Sequence, residues 1–156
     1  MKELKKQVVA LLRGGQAHAT FEQAVKGISF AAAGKKPRGE PHSPWELIEH
    51  IRIAQRDILD YSRGRNHESP AWPDGYWPKR IAPATPKAWK ASLDAIPKDL
   101  AAFIRYFGAP RRDLLAPLPQ DRRHNLLRQA LLLADHNAYH IGQLVLLRKR
   151  LGNWLE

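Results

Sequence analysis

Apolar residues recur along most of this chain at three- and four-residue spacing, the period of an amphipathic helix, and no alternating strand pattern competes with it. The first such stretch covers residues 2–13, with Leu4, Val8, Leu11 and Leu12 on one face, and stops at Gly14-Gly15. A short helix is expected from about Thr20, a candidate cap, to Gly27, and the turn residues of 34–39 then break the chain. The next helix has the clearest start. Ser43 is placed to cap it, Pro44 occupies the first helical position, and Glu46 completes a capping box. Leu47, His50, Ala54, Ile58 and Tyr61 form its inner face, until Gly64. Residues 64–84, rich in proline and aromatics, read as a long ordered crossover. Thr85-Pro86 restarts a helix that reaches Phe107, with Pro97 expected to kink or break it. The last helix is expected from about Arg123 to Arg150. The fold class is all-α.

The last helix is apolar on two sides. At 100° per residue, Gln129, Leu132, Leu133, His136, His140, Gln143 and Leu147 share a sector of roughly 100°. Leu127, Leu131, Ala134, Ala138, Ile141 and Val145 lie opposite. One side can face the bundle core, and the far face calls for another cover. A second copy of the chain is the expected cover, which makes the protein a homodimer.

Composition narrows the chemistry. The 156 residues suit one domain over 1–156, and 44% apolar content is that of a globular chain. With no cysteine there are no disulfides, thiolate ligands or thiol nucleophiles, so any metal rests on His, Asp or Glu. That set suits zinc, nickel, iron or manganese. The N-terminal apolar stretch is too short for a signal peptide and runs into Arg13, and no apolar run approaches the roughly 20 residues of a membrane span. A cytoplasmic protein without a membrane partner is expected. The formal net charge of +11 is spread over several loops and the last turn of the chain, with no nucleic-acid-binding motif. It reads as a solubilising surface rather than a nucleic-acid interface.

His136 and His140 are four apart and stack on one helix face, a spacing that lets two imidazoles bind one ion. His50, on the inner stripe of the helix begun at Ser43, is the third candidate, because bundles assemble metal sites from facing helices. Spacing alone leaves a plain alternative open: His136 and His140 as interior histidines hydrogen-bonded to Gln143 or Asp135. Gln143 shares the face of the pair and can orient an imidazole or a substrate, and Glu46, one turn before His50, can hold its free ring nitrogen or simply close the capping box. Asp57 lies two turns beyond His50, about 10 Å along the axis and too far to share its ion, so its carboxylate calls for an interior Arg or Tyr partner. The other histidines, His18, His42, His67 and His124, read as surface or loop residues, though His42 or His67 can line a cleft.

Two stretches carry a family resemblance. Pro41-His-Ser-Pro-Trp-Glu-Leu-Ile-Glu-His50 with the following Arg52-Ile-Ala-Gln-Arg-Asp-Ile-Leu resembles the second helix of DinB/YfiT-like proteins. Ala134-Asp-His-Asn-Ala-Tyr-His-Ile-Gly-Gln-Leu144, followed by Arg148-Lys-Arg-Leu-Gly-Asn-Trp154, resembles their last helix. The resemblance covers nearly the whole chain. It implies a four-helix bundle, often dimeric, with a long crossover between its second and third helices. It also implies a divalent metal on His50, His136 and His140, zinc or nickel before manganese or iron. Relatives in this family include S-transferases and isomerases dependent on low-molecular-weight thiols, and a hydrolase acting on a cyclopropane-bearing toxin. The expectation is therefore a metal-dependent enzyme for a small molecule, a hydrolase or thiol-dependent transferase, with no catalytic base assigned. Trp45, Tyr61, Trp72, Tyr76 and Trp77 are candidates for pocket walls. The competing readings are a non-catalytic metal-binding or stress-response protein and, behind it, a basic nucleic-acid-binding module.

Overall fold

The helix begun at Ser43 forms through the interactions its first residues can make. In the computed structural model, the Ser43 Oγ accepts from the backbone N–H of Glu46 at 3.2 Å, and the Glu46 carboxylate accepts from the N–H of Ser43 at 2.7 Å. Those two bonds satisfy donors that no helical carbonyl can reach. The structure describes residues 1–64 and 66–154; Arg65, in the crossover, and Leu155 and Glu156, at the end of the expected domain, lie outside the described residues.

Five α-helices follow one another: α1 (Lys2–Arg13), α2 (Phe21–Val25), α3 (Pro44–Arg63), α4 (Pro86–Gly108) and α5 (Leu126–Arg150). There is no strand among the described residues, and the crossover holds only a single 3-10 turn at Asp74–Tyr76. Helix α3 packs on both α4 and α5, α1 packs on the same two, and the short α2 lies against α5. The result is a four-helix bundle. Helices α3 and α5 run antiparallel, since His50 near the start of α3 meets His140 late in α5, while Tyr61 near its end meets His124 just before α5.

Two apolar clusters fill the bundle. One joins Trp45, Ile48, Ile51, Trp89, Ile96, Ile141 and Leu144, and the other joins Val8, Leu12, Ile58, Leu59, Phe103, Phe107 and Leu133. A buried polar layer sits beside them. Gln55, fully buried, donates to the Ile96 carbonyl at 2.6 Å and accepts from the Asn137 amide at 2.9 Å. Such a chain of bonds is costly to leave half made, so it fixes the register of α3 against α4 and α5.

Three expectations need adjustment. Pro97 does not break α4, which is helical from Pro86 to Gly108. Helix α5 starts at Leu126 rather than Arg123. Asn125 is its cap, accepting from the Arg128 N–H at 2.9 Å, and Asn125 is held extended by an isolated bridge to Pro117. Much of the far face of α5 is covered from within the chain: Ala134 and Ala138 line a small cavity with α1 and α2 residues and Ile141 is in the core, while Leu131 stays exposed. The apolar side chains that α5 does expose are Leu131, Leu132, Tyr139 and Leu146.

Ser43 is fully buried and also donates to the Ile81 carbonyl at 2.6 Å, so it ties the crossover to the start of α3. Ser43→Ala removes the cap and orphans that carbonyl, and is expected to cost about 1–2 kcal/mol in a denaturant titration. A loss below about 0.5 kcal/mol would mean that neither bond matters to stability.

Candidate metal centre

Helices α3 and α5 bring the three expected histidines together. The Nε2 of His50 lies 3.0 Å from the Nε2 of His140 and 3.0 Å from the Nε2 of His136. His50 and His140 are buried and His136 is partly buried. No other group of three or more His, Asp or Glu side chains among the described residues can gather on one ion.

The protons on these rings follow from their outer partners. The Nδ1 of His50 is 2.9 Å from the Tyr76 carbonyl, which can only accept, so that nitrogen carries the hydrogen and Nε2 carries a lone pair. The Nδ1 of His140 is 2.7 Å from the Gln143 Oε1, and the same argument leaves its Nε2 as an acceptor. Two lone pairs therefore face one another at 3.0 Å, which is not a hydrogen bond. The separation lets a single ion sit at roughly 2.0–2.1 Å from each nitrogen. The third ring, His136, is placed beside them, with its Nε2 3.0 Å from that of His50, while its buried Nδ1 has no partner to set which nitrogen carries the hydrogen. The donor set, with the tautomers of His50 and His140 fixed, thus suits a divalent metal.

Burial also keeps the rings neutral. Desolvation, with the His50 ring adding to it, holds His136 down to about 4, and desolvation with His136 holds His140 down to about 4. Burial lowers His50 too, against the opposing pull of the Tyr76 carbonyl. Neutral imidazole is the form that binds a metal.

The crossover shapes the other side. Trp77 lies flat on the His50 ring, with centroids 4.0 Å apart and planes 4° from parallel, and His42 stacks on Trp77 at 4.0 Å and 15°. Two imidazoles so close to one indole cannot share a face, so Trp77 is sandwiched between them. Trp45 belongs to the core beside Trp89, and Trp72 is 81% exposed, so of the aromatic candidates only Trp77 walls the histidines directly.

The remaining candidates fall as follows. Gln143 is on the His140 ring. Glu46 is occupied by the capping box, and the ring nitrogen it was a candidate to hold goes to Tyr76. Asp57 receives the Tyr76 hydroxyl at 2.8 Å and lies 2.7 Å from the His67 Nε2. Burial and the Asp57 carboxylate push Tyr76 up to about 12, so it stays a donor at neutral pH. His124 pairs with the Tyr61 hydroxyl at 2.8 Å. The role of Tyr76 has no counterpart in the sequence pattern, because it acts on His50 through its backbone.

Residues 15–144 match the family described as the DinB superfamily, which is most of the chain. The chain belongs to the DinB superfamily. No curated protein and no solved structure matches it significantly. No described helix is long and apolar enough to cross a membrane.

The depressed histidines give a sign to pH dependence. Their pKa is near 4 in the folded chain and near 6.5 when unfolded, so the unfolded chain binds protons more readily. Their contribution is complete above pH 6.5 and is lost as pH falls toward 4. Chelator-treated protein should therefore melt at falling temperature between pH 7 and 4. In His136→Ala/His140→Ala that slope should flatten, and an unchanged slope would assign the effect to other groups.

Proposed function

We propose that this protein is a metal-dependent enzyme acting on a small molecule, with one divalent ion on His50, His136 and His140. The observation that carries the reading is the pair of Nε2 lone pairs of His50 and His140 held 3.0 Å apart. Zinc and nickel are the first choices, manganese and iron the next, for an all-imidazole site. When bound, such an ion polarises an electrophile or lowers the pKa of a bound water or thiol. The chain itself does the rest of the work: Gln143 orients His140, the Tyr76 backbone carbonyl orients His50, and Trp77 with His42 closes one flank against water. Three protein ligands leave room for substrate, as catalytic sites require. Hydrolysis or transfer from a low-molecular-weight thiol are the reactions proposed. A thiol would have to come from outside, since the chain has no cysteine.

A second reading, a non-catalytic metal-binding or stress-response protein, is favoured by one observation. The carboxylates nearest in sequence to His50 and on its face are already engaged, Glu46 with Ser43 and Asp57 with Tyr76 and His67, so neither is a free general base. A single domain in the cytoplasm fits either reading.

A homodimer is part of the proposal. Leu131, Leu132, Tyr139 and Leu146 are 47%, 38%, 63% and 52% exposed, and the helical period sets them on one outward stripe of α5. Sedimentation equilibrium should give a dimer for the native chain and a monomer for Leu146→Glu. A native monomer at micromolar concentration would remove this part.

Elemental analysis of protein purified without an affinity tag should find about one divalent ion per chain, and His136→Ala should lose it. No ion as purified, and none after incubation with zinc or nickel, would overturn the metal site. Metal-loaded protein that turns over no thiol-transfer or hydrolysis substrate, with cellular function intact in His136→Ala, would leave the second reading.

A further inference from the structure

We propose that the crossover between α3 and α4 is a positioning strap for the metal site, and that Asp57, Tyr76 and Trp77 act on the ion only through the ring of His50. Tyr76 is gripped at both ends. Its carbonyl accepts from the His50 Nδ1 at 2.9 Å, and its hydroxyl donates to the Asp57 carboxylate at 2.8 Å. Asp57 sits on the same helix seven residues after His50, two turns and roughly 10 Å along the axis. The 3-10 turn that ends at Tyr76 is therefore pinned to α3 at two points, with the residue between them spanning the gap.

Three further contacts make the strap stiff. His67, earlier in the same crossover, lies 2.7 Å from the second oxygen of Asp57, so one carboxylate holds two parts of the segment. Gly75 lets the turn close, because a Cβ there would meet the Pro70 Cβ at 2.8 Å. Trp77 then fixes the plane of the His50 ring by stacking at 4.0 Å, while the Tyr76 carbonyl fixes which nitrogen carries the hydrogen. Ring plane and tautomer are the two variables that decide whether Nε2 presents its lone pair to the other histidines. Both are set by consecutive residues of a segment with almost no regular structure. Removing the distant anchor therefore loosens a ligand that it never touches.

This deepens the metal reading, and the tests separate the two. Long-range proton–nitrogen correlation spectra of the metal-free protein at neutral pH read the His50 tautomer directly. The native chain should show one Nδ1–H form, and Tyr76→Phe and Asp57→Ala should each show a mixture with helix content unchanged. Those two variants should also bind zinc about 10- to 100-fold more weakly, the usual effect of losing a partner that orients a ligand. The double variant should be no worse than Asp57→Ala alone, since Tyr76→Phe cuts a tether that Asp57→Ala has already cut. His67→Ala, which leaves the Tyr76–Asp57 bond in place, should move the tautomer ratio less than Asp57→Ala. A single unchanged tautomer in Tyr76→Phe and Asp57→Ala would overturn the strap whether or not the protein binds metal. Unchanged zinc affinity in both variants, beside normal binding by the native chain, would do the same. A native chain that binds neither zinc nor nickel but whose variants lose the tautomer would instead uphold the strap and sink the metal reading.

Discussion

Imidazole nitrogens with their lone pairs turned toward one another repel unless a cation lies between them, and the seam between α3 and α5 is built around that condition. His50 and His140 are each locked with the hydrogen on the outer nitrogen, by the Tyr76 carbonyl and the Gln143 amide oxygen. Neither ring can relieve the contact by shifting its proton without giving up a buried hydrogen bond. Protonation is opposed as well, since burial holds His136 and His140 near 4. What remains is a site that resists a proton at neutral pH and could hold a metal ion. The antiparallel register of the two helices, fixed partly by the Gln55–Asn137 bond, brings the rings to that distance.

The crossover completes the site from outside the bundle. A long segment of irregular backbone must satisfy its polar groups by something other than helix or sheet. Here the satisfaction is distributed over α3. Ser43 holds the Ile81 carbonyl, His50 donates to the Tyr76 carbonyl, and Asp57 takes the Tyr76 hydroxyl and contacts His67. Among the contacts that order the segment, the Tyr76 carbonyl and Trp77 also border His50. The ordering contacts also explain why the carboxylates on the inner face of α3 are not free for acid–base chemistry.

The outer surface is governed by different terms. The excess of basic residues is dispersed, and several are paired within a few residues, as Arg56 with Asp60 and Lys90 with Asp94. Such surface charge favours solubility more than a particular partner. The apolar stripe of α5 is the exception, for it lies on the side of the helix that no other element of the chain covers.

The sequence by itself determined the run of helices, the caps at Thr20 and Ser43 and the pairing of His136 with His140, while the addition of His50 leaned on its inner stripe and on the family resemblance. Those features depend on local rules: apolar period, a Ser-Pro-x-Glu start, and two imidazoles one turn apart. Local reading erred where the decision was made elsewhere in the chain. The start of α5 at Leu126 coincides with the Pro117–Asn125 bridge, and α4 runs on through Pro97 while packed against α1 and α3. Helical period showed that α5 is apolar on two sides, but not that α1 and α2 cover one of them. Tyr76 and Trp77 stood out only as general pocket-wall candidates and His42 as a residue that can line a cleft; their contacts at His50 were not legible, because Tyr76 acts through its backbone and the other two stack across 27 and 35 residues. Periodicity records which way a side chain faces on its own helix. Only the tertiary structure decides what it meets there, since that depends on the path of segments with no period of their own.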